Sequence, residues 1–458
     1  MLKAFINCFK IKELRFRILF TLGLIALVRL MAYVPCPGID PKALAQVFEH
    51  LGTSQGSGGL VGMLNLFTGG ALMKFAVGAL GIMPYITASI IMSLLTPVLP
   101  QLEKLKREGE SGFQRINQYT RYLTLAVCVV QGWMTAATML NPSFLDIQEG
   151  LQVVTLPGPL FKPMTVIILT CGTMVIMWMG ELITDKGIGN GASLIITVGI
   201  VEGIPTAVFQ LWDLFRQGST GDASFTLIHL CILVALFVLV TAGTVALSVG
   251  VRKIPIQYAR TRASRIGGAA PATFFPLRVN FANVMPIIFA SSLLMFPPIL
   301  IKYLYRLTPK VSYIAGYFNY GTTSYMVLYA LLIILFSFFW VANQFNPLQI
   351  SDDLKKNGAY IPGVRPGKPT ADFLDWSMTR VTTAGAIFLT VIALLPMIFS
   401  EMLNVPPNVA HFFGGTSQLI TVGVLLDTVR QMESHLLMHG GYEGFLRHGR
   451  VRATRRMR

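Results

Sequence analysis

Long apolar stretches alternate with short polar and charged segments along almost the whole chain. The stretches 164–180, 225–249 and 326–341 approach or reach the roughly 20 residues that a helix needs to cross about 30 Å of hydrocarbon. Helices are expected there because lipid offers the backbone no hydrogen-bond partners. The pattern therefore predicts an all-α polytopic membrane protein.

Ten apolar windows follow one another in the chain and predict ten transmembrane helices. These windows are 17–35, 71–98, 119–141, 163–183, 189–214, 224–250, 283–304, 324–345, 379–401 and 409–434. Residues 1–16 interleave apolar and basic side chains, a pattern typical of a cytoplasmic amphipathic helix at the membrane surface. Two long basic loops, 251–280 and 346–372, and a basic tail, 435–458, complete the predicted organisation.

Composition agrees with a membrane protein, and the distribution of charge predicts its orientation. Of the 458 residues, 53% are hydrophobic and only 13% are charged, which is about half the charged share of a soluble domain. The net charge is +16, and most Lys and Arg residues of the predicted loops fall on the side of the amino terminus. Because positively charged loops stay in the cytoplasm, both termini are predicted to be cytoplasmic.

The sequence carries no motif for catalysis or metal binding. Its five cysteines have no CxxC or metal-ligand spacing, and its six histidines form no HExxH. A glycine-rich phosphate loop and a GxSxG motif are also absent. We therefore predict no enzyme activity, no catalytic residue, no metal and no cofactor.

An internal repeat divides the ten predicted helices into two sets of five. Residues 82–89 (IMPYITAS) and 284–291 (VMPIIFAS) share the pattern (I/V)-M-P-x-I-x-A-S and lie five predicted spans apart. Because five is odd, the second copy crosses the membrane in the opposite direction, which predicts inverted halves over 17–215 and 216–434. Inverted halves place a functional site at their interface. The proline in each copy predicts a bent helix.

Polar residues stand where the two halves are expected to meet. Thr87 lies in the second predicted span, Gln131 in the third and Asn280 just before the seventh. They predict a polar seam between the halves, and ordinary hydrogen bonding between helices is the alternative explanation.

The segment 56–70 (GSGGLVGMLNLFTGG) is apolar in its middle, bracketed by glycines and too short to cross a membrane. Such a segment is a surface loop, an interfacial turn or a re-entrant plug buried within protein. Because it leads directly into the helix predicted at residue 82, we favour a plug at a pore.

Several longer motifs resemble those of the SecY family. They are FTGGAL (67–72), GIMPYI (81–86), KREGESG (106–112), GIGNG (187–191), PGVRPG (362–367) and FGGTS (413–417). The similarity runs from about residue 13 to residue 443 with the motifs in the right order, which makes it highly specific. The resemblance implies a protein translocation channel in a bacterial inner membrane, with ten helices around a central hourglass pore.

The resemblance also assigns residues to the parts of such a channel. A narrow ring of bulky aliphatic residues closes the pore, and it corresponds to Ile82, Ile86, Ala192, Ile196, Ile288 and Ile420. A plug rests against the ring and corresponds to Leu60, Val61, Met63, Leu64, Asn65, Leu66 and Phe67. The lateral gate to lipid corresponds to the polar seam. Ala192 departs from the family pattern because it is smaller than the usual ring residue.

The partners that the resemblance implies are the SecE and SecG subunits, the SecA motor ATPase, the translating ribosome, signal sequences, nascent polypeptide and membrane lipids. The two long loops would receive SecA or the ribosome, with contacts at Arg252, Lys253, Arg260, Arg262 and Arg365. Contact with ribosomal RNA would be dominated by phosphates and sensitive to salt. Attraction to an anionic membrane surface is the alternative explanation of these charges.

Two other functions compete with a passive channel on the residues alone. A secondary transporter also has inverted repeats and broken helices, but it usually carries midplane carboxylates. Here Asp and Glu are expected to be nearly absent from span centres, with Glu181 near a cytoplasmic end and Glu401 near an outer end. An intramembrane enzyme needs a His, Asp or Ser set at suitable spacing, and no such set is present. We therefore expect a channel that takes its energy from partners.

Overall fold

The chain divides into two units. The first contains Met1–Leu227, Pro406–Phe412 and Ile420–Arg458, and the second contains Ile228–Val405 and Phe413–Leu419. The computed structural model describes residues 11–53, 68–140, 153–218, 227–258, 273–305, 322–403 and 416–438. Helices make up most of the described residues, as the apolar windows predict.

Helices make up most of the described part of the first unit. In chain order they are α1 (Lys12–Met31), α2 (Pro41–Thr53), α3 (Met83–Leu95), α4 (Pro100–Arg107), α5 (Glu110–Leu140), α6 (Gly158–Lys186) and α7 (Gly191–Gly218). The axes of α3 and α4 are bent by 96° at the break between them. Two prolines explain this break: Pro97 has no N–H to continue α3 beyond Leu95, and Pro100 fits the first turn of α4.

The second unit contains helices and a small antiparallel sheet. Its helices are α8 (Leu227–Val249), α9 (Met285–Tyr305), α10 (Thr323–Gln344), α11 (Pro347–Lys356) and α12 (Lys368–Leu403). The strands β1 (Val251–Tyr258), β2 (Thr273–Arg278) and β3 (Ala359–Tyr360) form a sheet in the order β2, β1, β3. A last helix, α13 (Thr416–Met438), has its first turn in the second unit and the rest in the first.

Each of the ten predicted windows contains a helix among the described residues. Six helical segments of this part of the chain are long and apolar enough to cross a membrane, and α3 with α4 makes a seventh if the bent pair is one span. The remaining three of the ten predicted spans correspond to α1, α9 and α13. Of these helices, α1 contains the three arginines Arg15, Arg17 and Arg29. The number of ten spans therefore stays a prediction.

The second predicted span is wrong in its first half. The window 71–98 predicts one continuous helix, but only Met83–Leu95 is helical, and residues 69–82 form a series of turns. Glycine permits these turns, since Gly69 and Gly81 adopt φ values of 57° and 58°, which other residues rarely adopt. Apolar composition alone does not separate a spanning helix from apolar turns that are buried within protein.

The turns find hydrogen-bond partners in the loop that follows α1. The backbone N–H of Cys36 donates to the Phe75 carbonyl at 3.0 Å, and the N–H of Val77 donates to the Val34 carbonyl at 2.9 Å. Phe75 and Ala76 are fully buried. Irregular backbone is tolerated at membrane depth only when protein covers it, and this burial meets that condition.

An apolar cluster packs around the turns and fixes them to the neighbouring helices. The rings of Phe75 and Phe161 are stacked 6.5 Å apart in its centre. Its buried members are Cys36, Leu44, Val47, Phe75, Ala79, Leu80, Ala136, Met139, Val153, Phe161 and Leu169. Burial raises the pKa of the Cys36 thiol to about 11, so this side chain stays protonated at neutral pH and packs as a small apolar residue.

In the second unit α10 contacts both α9 and α12. The ring of Phe289 meets Phe336 and Trp340 edge to face, with centroids 5.8 Å and 5.2 Å apart. Gly385 of α12 lies so close to the chain that follows β2 that a methyl group there would be 2.6 Å from the Val279 carbonyl oxygen. Aromatic packing therefore sets the spacing of α9 and α10, and a small residue lets α12 approach the chain that follows β2.

Gly172 of α6 lies against the turns so closely that a methyl group would collide with the Val77 carbonyl oxygen. We predict that Gly172→Ala lowers the free energy of unfolding by about 1–3 kcal/mol, the usual cost of overpacking. The midpoint of thermal unfolding of the purified protein in detergent measures this loss. Gly23→Ala in α1 is the matched control, because no atom lies within 4 Å of a methyl group there. Equal midpoints for the two variants would contradict the close packing at Gly172.

Candidate functional site

The predicted ring residues Ile82 and Ala192 meet at one point on α6 in the first unit. A methyl group placed on Gly180 would lie 3.5 Å from Cδ1 of Ile82 and 3.7 Å from the backbone nitrogen of Ala192. Ile86 and Ile196 follow one helical turn later on α3 and α7. The starts of α3 and α7 therefore lie side by side against α6.

Small residues and first-turn prolines produce this arrangement. Gly191 lies so close to the Gly180 carbonyl that a side chain there would push α6 and α7 apart. Pro84 and Pro286 are the second residues of α3 and α9, so each copy of the internal repeat begins a helix. The bend predicted at these prolines is wrong, because proline in a first turn removes no intrahelical hydrogen bond.

The remaining predicted ring residues are Ile288 and Ile420. Ile288 lies in α9 within the second unit, and Ile420 lies in the part of α13 that belongs to the first. Both are buried, as are Ile82, Ile86 and Ile196, whereas Ala192 is half-buried. Their assembly into one ring stays a prediction.

The three polar residues of the predicted seam are buried or half-buried. Thr87 donates from Oγ1 to the Met83 carbonyl at 3.0 Å within α3, and Asn280 donates from Nδ2 to the Asn283 carbonyl at 3.0 Å. Gln131 is half-buried on α5. The bonds of Thr87 and Asn280 are local, and the lateral gate stays a prediction.

Several predicted residues lie outside the described part of the chain. They are the plug residues 60–67, the loop residues Arg260 and Arg262, residues 1–10 of the amphipathic helix and residues 439–458 of the tail. The described end of the plug segment begins at Thr68, which is buried.

A charged pair inside the first and fifth predicted spans was not expected from the sequence. Nη1 of Arg29 in α1 forms an ion pair with Oε2 of Glu202 in α7. The Tyr33 hydroxyl donates to Oε1 of Glu202 at 3.0 Å, and Nζ of Lys74 lies 3.5 Å from the centre of the Tyr33 ring. Only 19% of the Arg29 side chain and 25% of the Glu202 side chain are exposed. Glu202 is thus one carboxylate near the centre of a predicted span, in a set of spans whose centres were expected to be nearly free of Asp and Glu.

The same pair holds the turn at the end of the predicted plug segment. Nη1 of Arg29 also donates to the Gly69 carbonyl at 3.4 Å. A side chain at Gly69 would collide with the Arg29 guanidinium and lie 2.9 Å from Cα of Gly199. Both carboxylate oxygens of Glu202 are occupied within the protein, since one accepts from Arg29 and the other from Tyr33.

A second ion pair joins α5 to α6. Nε and Nη2 of Arg121 donate to the two carboxylate oxygens of Glu181 at 3.0 Å and 2.7 Å, a bidentate geometry. Glu181 is thus a helix-to-helix contact of the first unit. Within the described residues no group of three or more His, Cys, Asp or Glu side chains could hold a metal ion.

The two long basic loops contribute strands to one sheet, which the all-α prediction did not include. β1 and β2 belong to the first loop, and β3 of the second loop pairs with the end of β1, where Gln257 lies opposite Tyr360. Arg252 and Lys253 are exposed on β1, while Ile254 is buried beneath it. The proposed contact residues of the first loop therefore stand on a surface that both loops build.

The tip of the second loop has a defined shape with Arg365 exposed on it. Thr370 donates from Oγ1 to the Arg365 carbonyl at 2.8 Å, and Ser351 donates from Oγ to the Gly367 carbonyl at 2.6 Å. Gly363 and Gly367 adopt φ values of 86° and 102°, which only glycine adopts readily. These bonds fix the loop backbone that carries Arg365, whose side chain is exposed on the second unit.

The fold matches that of solved channel structures. A structure described as that of a protein conducting channel aligns with a TM-score of 0.65 at 18% identity, over 92% of both chains. Sec61 from the canine ribosome-channel complex of the endoplasmic reticulum aligns with a TM-score of 0.62 at 17% identity. The fold is therefore that of a protein-conducting channel.

Sequence comparison identifies the family. The SecY family model matches residues 76–429. The protein translocase subunit SecY of Chlamydia muridarum is 41% identical over 455 residues and covers 98% of both chains. That of Thermus thermophilus is 42% identical over 458 residues and covers both chains completely. The chain belongs to the SecY family, and its function is that of a protein translocation channel in a membrane.

Glu202→Gln is predicted to lower the free energy of unfolding by about 2 kcal/mol, because Arg29 would stay mostly buried without its counter-charge. The cost for a fully buried pair is about 3–5 kcal/mol, and the partial exposure of this one reduces it. Denaturant unfolding of the purified protein measures the loss. Glu103→Gln is the matched control: it breaks the exposed Glu103–Arg107 pair and should change stability by less than about 0.5 kcal/mol. Equal effects would show that Glu202 contributes no more than a surface carboxylate.

Proposed function

We propose that this chain is the pore subunit of a bacterial Sec translocon. It passes unfolded secretory polypeptides across the inner membrane and releases signal sequences and membrane segments sideways into lipid. The observation that carries this proposal is the meeting of Ile82 and Ala192 on α6, since it places two of the expected ring residues beside the same residue, Gly180, in the first unit. Both termini lie in the cytoplasm in this proposal.

The six ring residues form the closure of the proposed pore. A narrow apolar passage loses its water and blocks ions, whereas a threaded polypeptide pushes the side chains apart. The burial of Ile82, Ile86 and Ile196 in the first unit supports this role. Ala192 leaves the ring less filled at one position.

Residues 60–67 act as the plug, and the seam with Thr87, Gln131 and Asn280 acts as the lateral gate. The contact of Arg29 with Gly69 supports a plug segment whose end is anchored on α1 and α7. At the gate, apolar signal segments partition into lipid while the polar remainder of the chain crosses the pore. One channel therefore has two exits.

The energy for transport comes from partners. No nucleotide-binding motif stands in the sequence, and the exposed Arg252, Lys253 and Arg365 present basic groups on the loops. We assign these loops, with Arg260 and Arg262, to SecA or the ribosome, and SecE and SecG to the channel complex. The structural relatives support ribosome docking, because Sec61 and yeast Ssh1 are each described in complex with a ribosome.

In vesicles that contain the purified chain with SecE and SecG, translocation of a preprotein should require SecA and ATP. Arg365→Glu should reduce this translocation by about tenfold or more, equivalent to about 1.4 kcal/mol of lost binding. The reason is that a reversed charge at the fixed loop tip repels the site that Arg365 binds. Protection of the preprotein from added protease measures transport.

Lys42→Glu is the charge-matched control, because Lys42 is exposed on α2 and belongs to neither of the two long basic loops. It should translocate at the wild-type rate. Normal translocation by Arg365→Glu would remove the loop tip from the docking surface, and absence of SecA-dependent transport by the wild-type complex would contradict the proposed partner.

Deletion of residues 60–67 should raise the ion conductance of the resting channel in planar bilayers several-fold. The plug no longer supports the ring, so the apolar constriction wets more often. A variant in which Gly and Ser replace the eight residues keeps the segment length and should also leak. Unchanged conductance in both variants would show that this segment does not seal the pore.

A further inference from the structure

The turn between α6 and α7, residues 187–190, is held by side chains from two other helices of the first unit. The backbone N–H of Ile188 donates to Oγ1 of Thr21 in α1 at 3.1 Å. The next N–H, that of Gly189, donates to Oε1 of Gln431 in α13 at 2.7 Å. The N–H groups of Ile188 and Gly189 thus find their acceptors outside α6 and α7, and each donates to a side chain of a different helix.

The turn has little room to shift. Thr21 also donates from Oγ1 to the Arg17 carbonyl at 2.8 Å, so its hydroxyl is used as donor and acceptor. A methyl group on Gly187 would lie 2.5 Å from this hydroxyl oxygen. Gly189 has a φ value of 87°, a conformation that favours glycine.

Apolar packing supports the same contact. Ile188 is buried in a cluster with Leu14 of α1 and Leu436 of α13. The side chain of Ile188 and the backbone on either side of it therefore bind the same two helices. The hydrogen bonds and the apolar contacts therefore hold the turn in the same position.

The turn determines where α7 begins, and with it the predicted ring residues of that helix. Asn190 caps the helix through Oδ1, which accepts from the Ser193 N–H at 3.2 Å, and Gly191 donates to Oγ1 of Thr184 at 2.9 Å. Ala192 is the second residue of α7, and Ile196 follows one turn later. A displacement of the turn would move both along the helix axis.

The bond at Gln431 also relates α13 to α7. Gln431 lies roughly three helical turns after Ile420, so the two side chains are on the same face of α13. The face of α13 that carries Ile420 therefore also carries Gln431, which accepts a hydrogen bond from the turn before α7. This bond links the position of Ile420 on α13 to that of Ala192 and Ile196 on α7 within the first unit.

We propose that Thr21 and Gln431 are positioning residues of the translocation channel, which hold Ala192, Ile196 and Ile420 in the register that closes the pore. This inference rests on the proposed ring. Loss of the hydrogen bonds that Thr21 and Gln431 make to the turn destabilises the closed state, so the pore opens more often at rest. A signal sequence then has to contribute less free energy to open it.

The test uses Thr21→Val and Gln431→Met, singly and together, in the full complex with SecE and SecG. Each substitution removes the acceptor oxygen and keeps the size of the side chain. In planar bilayers the double variant should raise the resting ion conductance by about tenfold. It should also increase translocation of a preprotein whose signal sequence carries a charge in its apolar core.

Thr124→Val and Gln118→Met are the matched controls. Thr124 is buried in α5 and makes the same local bond that Thr21 makes, to the carbonyl four residues earlier, and Gln118 is an exposed glutamine of that helix. Both controls should keep the wild-type conductance. Thr21→Ser and Gln431→Glu retain an acceptor oxygen and should restore the closed channel.

The outcomes separate this inference from the proposed ring. Ile420→Gly removes a ring side chain and should itself leak. Leakage by Ile420→Gly with a tight double variant would overturn the positioning role while leaving the ring intact. A double variant that only lowers thermal stability, with wild-type conductance and signal-sequence dependence, would likewise show that the two residues merely stabilise the fold. If Ile420→Gly is also tight, the ring and the inference fail together.

Discussion

Polar backbone groups at membrane depth need partners inside the protein, because lipid provides none. In the first unit this constraint accounts for more than the helices. Residues 69–82 leave the helical path, and their N–H and carbonyl groups bond to one another and to the loop after α1. The same constraint applies to charge, because Arg29 is mostly buried. Its guanidinium contacts Glu202 and the Gly69 carbonyl, and the Tyr33 hydroxyl donates to Glu202.

Sequence periodicity and length predict the helices well where a window is long and uniformly apolar, as for α6, α8 and α10. Periodicity and length fail for the window 71–98, because the turns of residues 69–82 are as apolar as a membrane helix. Only the positions of the glycines distinguish these turns from a helix. Periodicity and length also miss the sheet, whose β3 contains two residues and depends on contact with a strand about 100 residues earlier. Pairing over such a distance leaves no local periodic pattern.

The residues of the candidate site are likewise predicted from the sequence only in part. Motif resemblance finds Ile82 and Ala192, which the structure brings together, and it finds the exposed Arg365. It does not find Glu202, whose partner lies 173 positions away, nor Gln431, which binds a backbone group. One signal was available: a carboxylate within an apolar window requires a cation, and Arg29 lies well inside the first window whereas Arg17 stands at its edge. Side chains that accept from a backbone N–H, such as Thr21, give no comparable signal, because many polar side chains can do so.

The sheet of the second unit joins two loops that are far apart in the chain. β1 bonds to β2 on one edge and to β3 on the other, so the first loop supplies the strand on which the second is aligned. An insertion in either loop near this strand shifts the alignment of both. Chimeras that import one of these loops from a relative should therefore import the other with it, and the two loops are expected to evolve as a matched pair.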